Sequence, residues 1–206
     1  QQNGCGRMVD PPIRRIRPAM TSTPTVRDAR IEDVPAFQRI YEHHVRHGVG
    51  TFEEEPPDVA ELEGRFRAIT GAGLPWLVAE RDGVVLGYAY GSAYHVRSAY
   101  RFTIQDSVYI AEEARGRGLG RLLLQALIDR CVEQGYRQMV ALVGGSENAG
   151  SIGLHSALGF RTCGVVEAVG LKFGRWLDVV MMQKDLGAGR SDIPQGAGPS
   201  QPVAVR

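Results

Sequence analysis

A run of glycines and arginines stands where the chain could hold phosphate groups. It reads Arg115-Gly116-Arg117-Gly118-Leu119-Gly120 and opens a stretch with helical periodicity. Glycines lack the Cβ atoms that would keep a pyrophosphate from the backbone. Free N–H groups at a helix start attract anions, and arginine adds positive charge. A plain strand–helix turn would use the same glycines, and the spacing matches neither the P-loop nor the dinucleotide fingerprint.

Histidine is the second residue type that could do chemistry. His43, His44 and His47 are spaced to share a helix face, as metal ligands can be, but no carboxylate completes the set. We predict a solvated helix face and no metal. His155 could donate or accept a proton, because imidazole titrates near pH ~6.5. From the residue alone, a packing role is the simpler interpretation.

Hydrophobic periodicity and turn residues predict the elements that would position these groups. Helices are expected over 31–46, 58–70, 118–134 and 148–158. Strands are expected over 25–29, 76–80, 84–92, 102–110, 138–143, 161–169 and 176–183. Asp82-Gly83 predicts a hairpin turn and Asp58 a helix cap. The order indicates an α+β fold, a mixed, mostly antiparallel sheet with helices on both faces and one right-handed strand–helix–strand crossover.

Composition narrows the class of protein. The chain has 206 residues, 43% hydrophobic residues and a formal net charge of +1, which favours neither nucleic acid nor acidic lipid as a partner. No apolar run approaches the roughly 18 residues of a membrane span. The three cysteines include no C-x-x-C pair, which argues against a zinc ribbon or a thioredoxin-like motif. Cys131 in a predicted helix and Cys163 in a predicted strand are expected to be buried, reduced thiols of a cytoplasmic protein. We expect one domain over 24–186, with disordered extensions at 1–23 and 187–206.

Several blocks of sequence resemble a known enzyme family. Arg115-x-x-Gly118-x-Gly120 after a strand, followed by Asn148 and Leu158-Gly159-Phe160, resembles the GNAT superfamily of N-acetyltransferases. Almost the whole predicted domain resembles its phosphinothricin branch, which includes methionine sulfoximine and methionine sulfone acetyltransferases. The blocks that carry this closer resemblance are Gly50–Pro56, Ser107–Ile110, Ser151–His155 and Lys172–Asp178.

The resemblance implies acetyl-CoA as the acyl donor. In such proteins a strand pairs its backbone with pantetheine, which here implies Val108, Tyr109 and Ile110. Asn148 is implied beside the pantetheine arm. The pyrophosphate is implied to lie against Arg115, Gly116, Arg117, Gly118, Leu119, Gly120 and Arg121.

Acyl transfer to an amine requires a donor for the developing oxyanion and a proton for the leaving thiolate. The resemblance implies a backbone N–H near Ile110 as the first and His155 as a catalytic group. The family usually has a glutamate base where this chain has Gln105, whose amide cannot take up a proton at neutral pH. A water chain, His155, or Asp106 re-aimed by a β-bulge are the alternatives.

The resemblance also implies an acceptor pocket. Arg97 would pair with the acceptor carboxylate, and His95 replaces a basic residue of the branch. Arg97 could instead be solvated, and Tyr41 and Phe52 could equally belong to the core. The full set implied at the acceptor is Tyr41, Phe52, His95, Val96, Arg97, Gln105, Asp106 and Ser107.

The resemblance therefore implies an acetyl-CoA-dependent N-acetyltransferase, in which the amino group of a small amino-acid-like molecule attacks the thioester directly. Gln105 motivates a first alternative, a catalytically weak acyl-CoA-binding or regulatory protein. A protein N-terminal acetyltransferase is the second. The resemblance further implies a homodimer.

Overall fold

The computed structural model describes residues 22–196 and 198–199. The extension predicted for residues 1–23 therefore lies almost wholly outside the described residues. The strands are β1 Thr25–Asp28, β2 Trp76–Arg81, β3 Val84–Ala93, β4 Thr103–Ile110, β5 Gln138–Gly144, β6 Arg161–Lys172 and β7 Arg175–Asp185. The helices are α1 Val34–His47, α2 Val59–Gly71, α3 Leu119–Glu133 and α4 Ala149–Ala157. Short 3-10 turns cover Ile31–Asp33, Ser98–Tyr100 and Glu112–Ala114.

The strands form one seven-stranded sheet in the order β1-β2-β3-β4-β5-β7-β6. Its neighbours pair antiparallel except β4 and β5, which are parallel and joined through α3. This confirms the predicted α+β fold with a mixed, mostly antiparallel sheet. The parallel strands β4 and β5 are connected through the glycine-rich loop and α3.

Helix α1 packs through the apolar stripe that the sequence predicts. Phe37 and Val45 are fully buried, and Ile40 and Tyr41 are nearly so. The Phe37 ring lies 4.7 Å from that of Tyr88 in β3, measured between ring centroids. Truncating such a buried aromatic to alanine costs about 3–5 kcal/mol. The packing therefore fixes α1 firmly over the middle of the sheet.

The helices cover both faces of the sheet. Tyr41 of α1 contacts Tyr109 of β4 edge to face, with ring centroids 4.9 Å apart. A Cβ on Gly120 of α3 would lie 4.0 Å from Ile110, the next residue of β4. Because successive strand residues point to opposite faces, α1 and α3 lie on opposite sides. We call these the α1 face and the α3 face.

Local signals place most of the ends of these elements. Asp82 and Gly83 both have positive φ, at 51° and 75°, as the predicted hairpin turn requires. The Asp58 carboxylate accepts a hydrogen bond from the Glu61 N–H at 2.8 Å and caps α2. Strand β6 runs three residues beyond the predicted end at 169, because its partner β7 continues the ladder to Lys172.

The cysteines differ from the prediction. Cys131 is fully buried in α3, but Cys163 is exposed on β6, an edge strand of the sheet, so the expectation that both are buried is wrong for Cys163. Both are free thiols. In the described part of the chain, no helix is long and apolar enough to cross a membrane.

The segment after β7 makes specific contacts. Leu186 is almost completely buried, and its N–H donates to the Arg137 carbonyl at 2.9 Å. Arg137 also forms an ion pair with Asp192 at 2.9 Å. The first residues of the tail predicted from 187 therefore lie against the domain.

Candidate functional site

The sheet opens between β4 and β5. Among the described residues, these strands pair only from Thr103 to Gln105, opposite Gln138 to Val140. Farther along, β4 remains paired with β3 as far as Ile110, while β5 follows β7. The two strands diverge, and the edge of β4 that follows Gln105 has no neighbouring strand in this part of the chain.

Along β4, the peptide N–H and C=O groups of successive residues point alternately toward β3 and toward the opening. The Ala111 N–H, just after β4, donates to the carbonyl of Leu86 in β3 at 2.9 Å. In an antiparallel ladder, every second residue turns its N–H and C=O to the same neighbour. Asp106, Val108 and Ile110 therefore turn their peptide groups toward the opening. An extended ligand with amide groups can pair there like an added strand.

The predicted phosphate loop leads directly from this edge into α3. Gly116 and Gly118 have φ of 72° and 78°, a left-handed conformation that favours glycine. Gly118 is the N-cap of α3 and has no side chain to satisfy the first-turn N–H groups. Arg117 and Arg121 are exposed around them. The arrangement is suited to a pyrophosphate, since free N–H groups meet the positive end of the helix dipole.

Helix α4 forms the second wall of the opening. Asn148 caps it by accepting from the Ser151 N–H at 3.2 Å, and its amide donates to the Gly144 carbonyl at 3.3 Å. A Cβ on Gly120 would lie 3.2 Å from the Leu154 side chain, so α3 and α4 approach closely there. Asn148 thus joins the end of β5 to the start of α4, at the mouth of the opening.

His155 and Asp106 form a buried pair where β4 and β5 separate. His155 Nε2 lies 3.0 Å from Asp106 Oδ2, and His155 Nδ1 lies 2.7 Å from the Ser151 carbonyl oxygen. Both side chains are at least 95% buried. Asp106 therefore points to the α3 face, where α4 also lies, as the regular alternation of β4 predicts.

The partners of His155 determine its protonation. The Ser151 carbonyl can only accept, so Nδ1 carries a proton, and an ionised Asp106 likewise calls for a proton on Nε2. Burial lowers the pKa of His155, but the hydrogen bond and charge of Asp106 and the Ser151 carbonyl together raise it above its ordinary value. These contacts therefore favour the imidazolium form, which can release a proton but cannot accept one.

Gln105 and Ser107 lie on the opposite, α1 face. Both are half-buried, and Ser107 shares a hydrogen bond with Tyr90 of β3. Gln105 lies opposite Ser92 of β3 and Val140 of β5, at the last paired position before the strands separate. The structure thus brings Gln105, Ser107 and the open edge together. Asp106, which was predicted to line the acceptor pocket, instead lies on the α3 face and pairs with His155.

The loop between α1 and α2 covers the α1 face of the opening. The Tyr41 hydroxyl contacts Thr51 Oγ1 at 2.8 Å and donates to Glu53 Oε1 at 3.0 Å. Burial raises the pKa of Tyr41, which keeps it a neutral donor. The Phe52 ring lies against Gly144 and Gly170, where a Cβ would overlap it. The residues on either side of Phe52 are therefore held by Tyr41, and the Phe52 ring is held against the sheet.

Lys172 secures this loop from the far edge of the sheet. Its ammonium group donates to the carbonyls of Thr51 at 2.8 Å and Gly48 at 3.0 Å, and the side chain is almost fully buried. Burial lowers the pKa of Lys172, opposed by the charges of Glu54 and Glu53. The sequence analysis gave Lys172 no role of its own, because its partners lie over 100 residues away.

The other predicted acceptor residues follow β3. His95, Val96 and Arg97 are all exposed, and the Arg97 N–H donates to His95 Nδ1 at 3.1 Å. The His95 ring packs on Tyr100, with ring centroids 4.7 Å apart, and Tyr100 lines a cleft of about 230 Å³. Its lining residues are Tyr94, Tyr100, Thr103, Val140, Cys163, Met181, Met182 and Gln183. Of these residues, Val140 is the strand partner of Gln105.

His44 departs from the predicted solvated helix face. It is half-buried, and its Nε2 lies 3.0 Å from the Ile110 carbonyl oxygen at the end of β4. Its spacing of three residues from the buried Tyr41 was the signal that could have revealed this. In the described part of the chain, no group of three potential ligands is placed to hold a metal ion.

Comparisons with known proteins agree with this geometry. The profile of the Acetyltransferase (GNAT) family matches residues 37–160. A phosphinothricin N-acetyltransferase of Alcaligenes faecalis is 55% identical over 171 residues, 83% of this chain and 87% of that protein. An L-methionine sulfoximine/L-methionine sulfone acetyltransferase of Pseudomonas paraeruginosa is 44% identical over 168 residues, 81% of this chain and 97% of that protein.

A solved structure gives the same result. The GNAT superfamily phosphinothricin acetyltransferase of Sinorhizobium meliloti, crystallised in complex with AcCoA, is 47% identical, with a TM-score of 0.83. The match covers 86% of this chain and 96% of that one. With the family profile spanning more than half of the sequence, and these relatives more than four fifths, the chain belongs to the GNAT family of acetyltransferases.

Proposed function

We propose that this chain transfers the acetyl group of acetyl-CoA to the amino group of a small amino-acid-like acceptor of the phosphinothricin, methionine sulfoximine or methionine sulfone type. The observation that carries the proposal is the opening between β4 and β5, which leads directly to the N-terminus of α3. The relatives named above have these activities in their names. AcCoA is bound in the Sinorhizobium meliloti structure.

The proposed donor site follows the open edge. Val108 and Ile110 offer peptide groups to pantetheine, and the loop from Arg115 to Arg121 receives the pyrophosphate. Asn148 lies beside the arm at the start of α4. The support is the direction of the β4 peptide groups and the two left-handed glycines.

In the proposed reaction, the acceptor nitrogen attacks the thioester carbonyl carbon directly. A C–N bond forms, the C–S bond breaks, and CoA leaves as a thiolate. A peptide N–H of the open edge, near Ile110, donates to the developing oxyanion. In our proposal no enzyme nucleophile takes part, since Cys131 is buried in α3 and Cys163 lies on an edge strand.

We assign the proton of the leaving thiolate to His155. The imidazolium held by Asp106 and the Ser151 carbonyl has a proton to give, and it lies where β4 and β5 separate. Asp106 acts through His155 and is a positioning residue in this scheme. Gln105 accepts a hydrogen bond from the acceptor amine and orients it, while the amine loses its proton to water.

We propose that the acceptor lies on the α1 face. Tyr41, Phe52 and Ser107 surround it, and Arg97 binds its carboxylate from the loop after β3. The support is the position of Tyr41, Phe52 and Ser107 around the α1 face of the opening, and the exposure of Arg97 in the loop after β3. The free thiols are typical of a reducing compartment, and we place the reaction in the cytoplasm.

A homodimer completes the proposal. Leu142 of β5, Met181 and Val179 of β7 and Val166 of β6 are cross-strand neighbours on the α1 face, beyond the cover of α1. Leu142 is 40% exposed and Val166 is 43% exposed. A contiguous apolar strip of this kind favours pairing with a second copy about a two-fold axis.

The experiment that tests the function measures thiol release from acetyl-CoA with phosphinothricin, methionine sulfoximine and methionine sulfone. Turnover of any of them by the wild-type protein supports the proposal. Gln105→Glu is the informative variant. Binding of CoA without turnover by the wild type, with activity gained in Gln105→Glu, would favour an acyl-CoA-binding protein. Turnover only with peptides would favour an N-terminal acetyltransferase.

A further inference from the structure

His44 connects α1 to both parts of the proposed donor site. Its Nε2 lies 3.0 Å from the carbonyl oxygen of Ile110, the last residue of β4. Its Nδ1 lies 3.4 Å from Nη2 of Arg115, the first residue of the phosphate loop. The ring also packs edge to face on Tyr109, with centroids 5.3 Å apart.

These contacts define one tautomer. A carbonyl oxygen only accepts, so Nε2 carries a proton and donates it to Ile110. A guanidinium only donates, so Nδ1 must offer its lone pair to Arg115. The contacts therefore require a neutral imidazole with the proton on Nε2, the reverse of the doubly protonated His155.

The charged groups around His44 come from its own helix and from the turn after β4. Burial lowers the pKa of His44 most, and the positive charges of Arg115 and His43 lower it further. The hydrogen bond to the Ile110 carbonyl and the negative charge of Glu112 raise it. Glu112 is itself shared, since it contacts His43 at 3.3 Å and Arg115 at 2.8 Å. The pKa of His44 lies below its ordinary value as a result.

We propose that neutral His44 is a positioning residue for acyl-CoA, holding the end of the pantetheine strand and Arg115 of the phosphate loop in one fixed arrangement. The inference rests on the proposed donor site. The Ile110 carbonyl turns toward the open edge, so the His44 donor caps that edge where the ligand strand would end. The contact with Nδ1 then holds the guanidinium of Arg115, the first positively charged side chain of the phosphate loop, in position.

Protonation of His44 breaks one of the two contacts. With a proton on Nδ1, the ring presents a donor and a positive charge to the Arg115 guanidinium. Since the group is neutral in the arrangement that binds the ligand, affinity is full above the pKa of His44. Affinity is lost as pH falls through that pKa.

Two substitutions separate the contacts. His44→Gln keeps a donor near the Nε2 position for Ile110, and His44→Asn keeps an acceptor near the Nδ1 position for Arg115. Neither side chain titrates. The measurement is calorimetric titration of the full chain with CoA from pH 5.5 to 8.0. Loss of one hydrogen bond predicts about 3- to 10-fold weaker binding by each variant at pH 7.5.

The pH dependence provides the second readout. The CoA phosphates titrate equally in every protein, so the ratio of wild-type to variant affinity isolates His44. We expect this ratio to decrease as pH falls through the pKa of His44, which lies below its ordinary value. In turnover, both variants should raise the acetyl-CoA KM and leave the acceptor KM unchanged. His47→Gln, on an exposed position of the same helix, is the matched control and should behave as wild type.

Two results would overturn the inference while leaving the proposed function intact. One is wild-type CoA affinity in both His44 variants at pH 7.5. The other is a ratio that rises as pH falls, which would mean that a cationic His44 meets the phosphates. A wild-type protein that binds no CoA would overturn the proposed donor site, and this inference with it.

Discussion

At the scale of single residues, the side chains on the two faces of the opening differ in their ability to release or accept a proton. On the α3 face, His155 carries the protons and Asp106 accepts one of them in a hydrogen bond, whereas Gln105 on the α1 face can neither release nor accept a proton at neutral pH. The sequence left water, His155 and Asp106 as alternatives for the missing base. The contacts favour water as the base, because a doubly protonated His155 has no lone pair to take up a proton and Asp106 faces His155 rather than the α1 face.

The first prediction concerns the proton donor. Because the pKa of His155 is raised, its acid form is present below that pKa and is lost as pH rises through it. Asp106→Asn removes the charge that raises it, so the alkaline decline of kcat should begin at lower pH. His155→Gln should lower kcat about 100-fold, as expected for loss of a general acid.

The measurement is kcat from pH 6 to 10, with the imidazole titration followed by NMR. Asp106→Glu, which keeps the charge, should restore the alkaline limb at least in part. A merely structural role would reduce the melting temperature of Asp106→Asn without moving the profile, and that result would contradict the assignment.

The second prediction concerns Arg97. If its guanidinium binds the acceptor carboxylate, Arg97→Ala should raise the acceptor KM about 10-fold or more, as for a charged hydrogen bond. The acetyl-CoA KM should stay unchanged. Arg67→Ala, an exposed arginine of α2, is the control. An acceptor KM equal to that of the wild type would remove Arg97 from the site.

At the scale of elements, the site depends on where one strand pair ends. The parallel register of β4 and β5 lasts for three residues, and α3 begins where the resulting edge ends. The loop between α1 and α2 closes the other face, fixed by Lys172, Thr51 and Tyr41. The proposed donor site along the open edge and the proposed acceptor site on the α1 face thus meet at the same gap.

The third prediction tests the N-terminus of α3. Gly118→Glu places a negative charge among the free N–H groups and forces a left-handed residue to carry a long side chain. We expect CoA binding to weaken at least about 10-fold, since a misplaced charge and the backbone strain each cost about 1 kcal/mol. Calorimetric titration measures the affinity.

Gly118→Asn is the matched control, because asparagine tolerates positive φ and adds no charge. It should retain most of the affinity. Equal binding by the glutamate variant and the wild type would mean that the pyrophosphate lies elsewhere.

At the scale of the whole molecule, the far half of the sheet explains the proposed dimer. Val166→Lys introduces a charge on the apolar strip, whereas Val165→Lys introduces one on the other face at similar exposure, 48% against 43%. We expect sedimentation to show a dimer for the wild type and Val165→Lys and a monomer for Val166→Lys. A monomeric wild type would refute the proposal.

The sequence by itself determined the local structure and the family. Alternation in Thr103–Ile110, the apolar stripe of α1 and the Asp58 cap involve residues close in the chain, and their positions are confirmed. The glycine run was likewise readable, because a left-handed turn at a helix start has a local composition. The resemblance to the GNAT family is confirmed by the comparisons.

Only the tertiary structure decided which of these residues meet. Asp106 and His155 are 49 positions apart, His44 and Ile110 66, and Lys172 and Gly48 124. Such contacts depend on strand order, register and helix packing, which are properties of the folded core rather than of any local pattern. Hence the sequence indicated the residue types that do the chemistry, while the fold determined that the pKa of His155 is raised, that the pKa of His44 is lowered, and that Lys172 anchors the loop between α1 and α2.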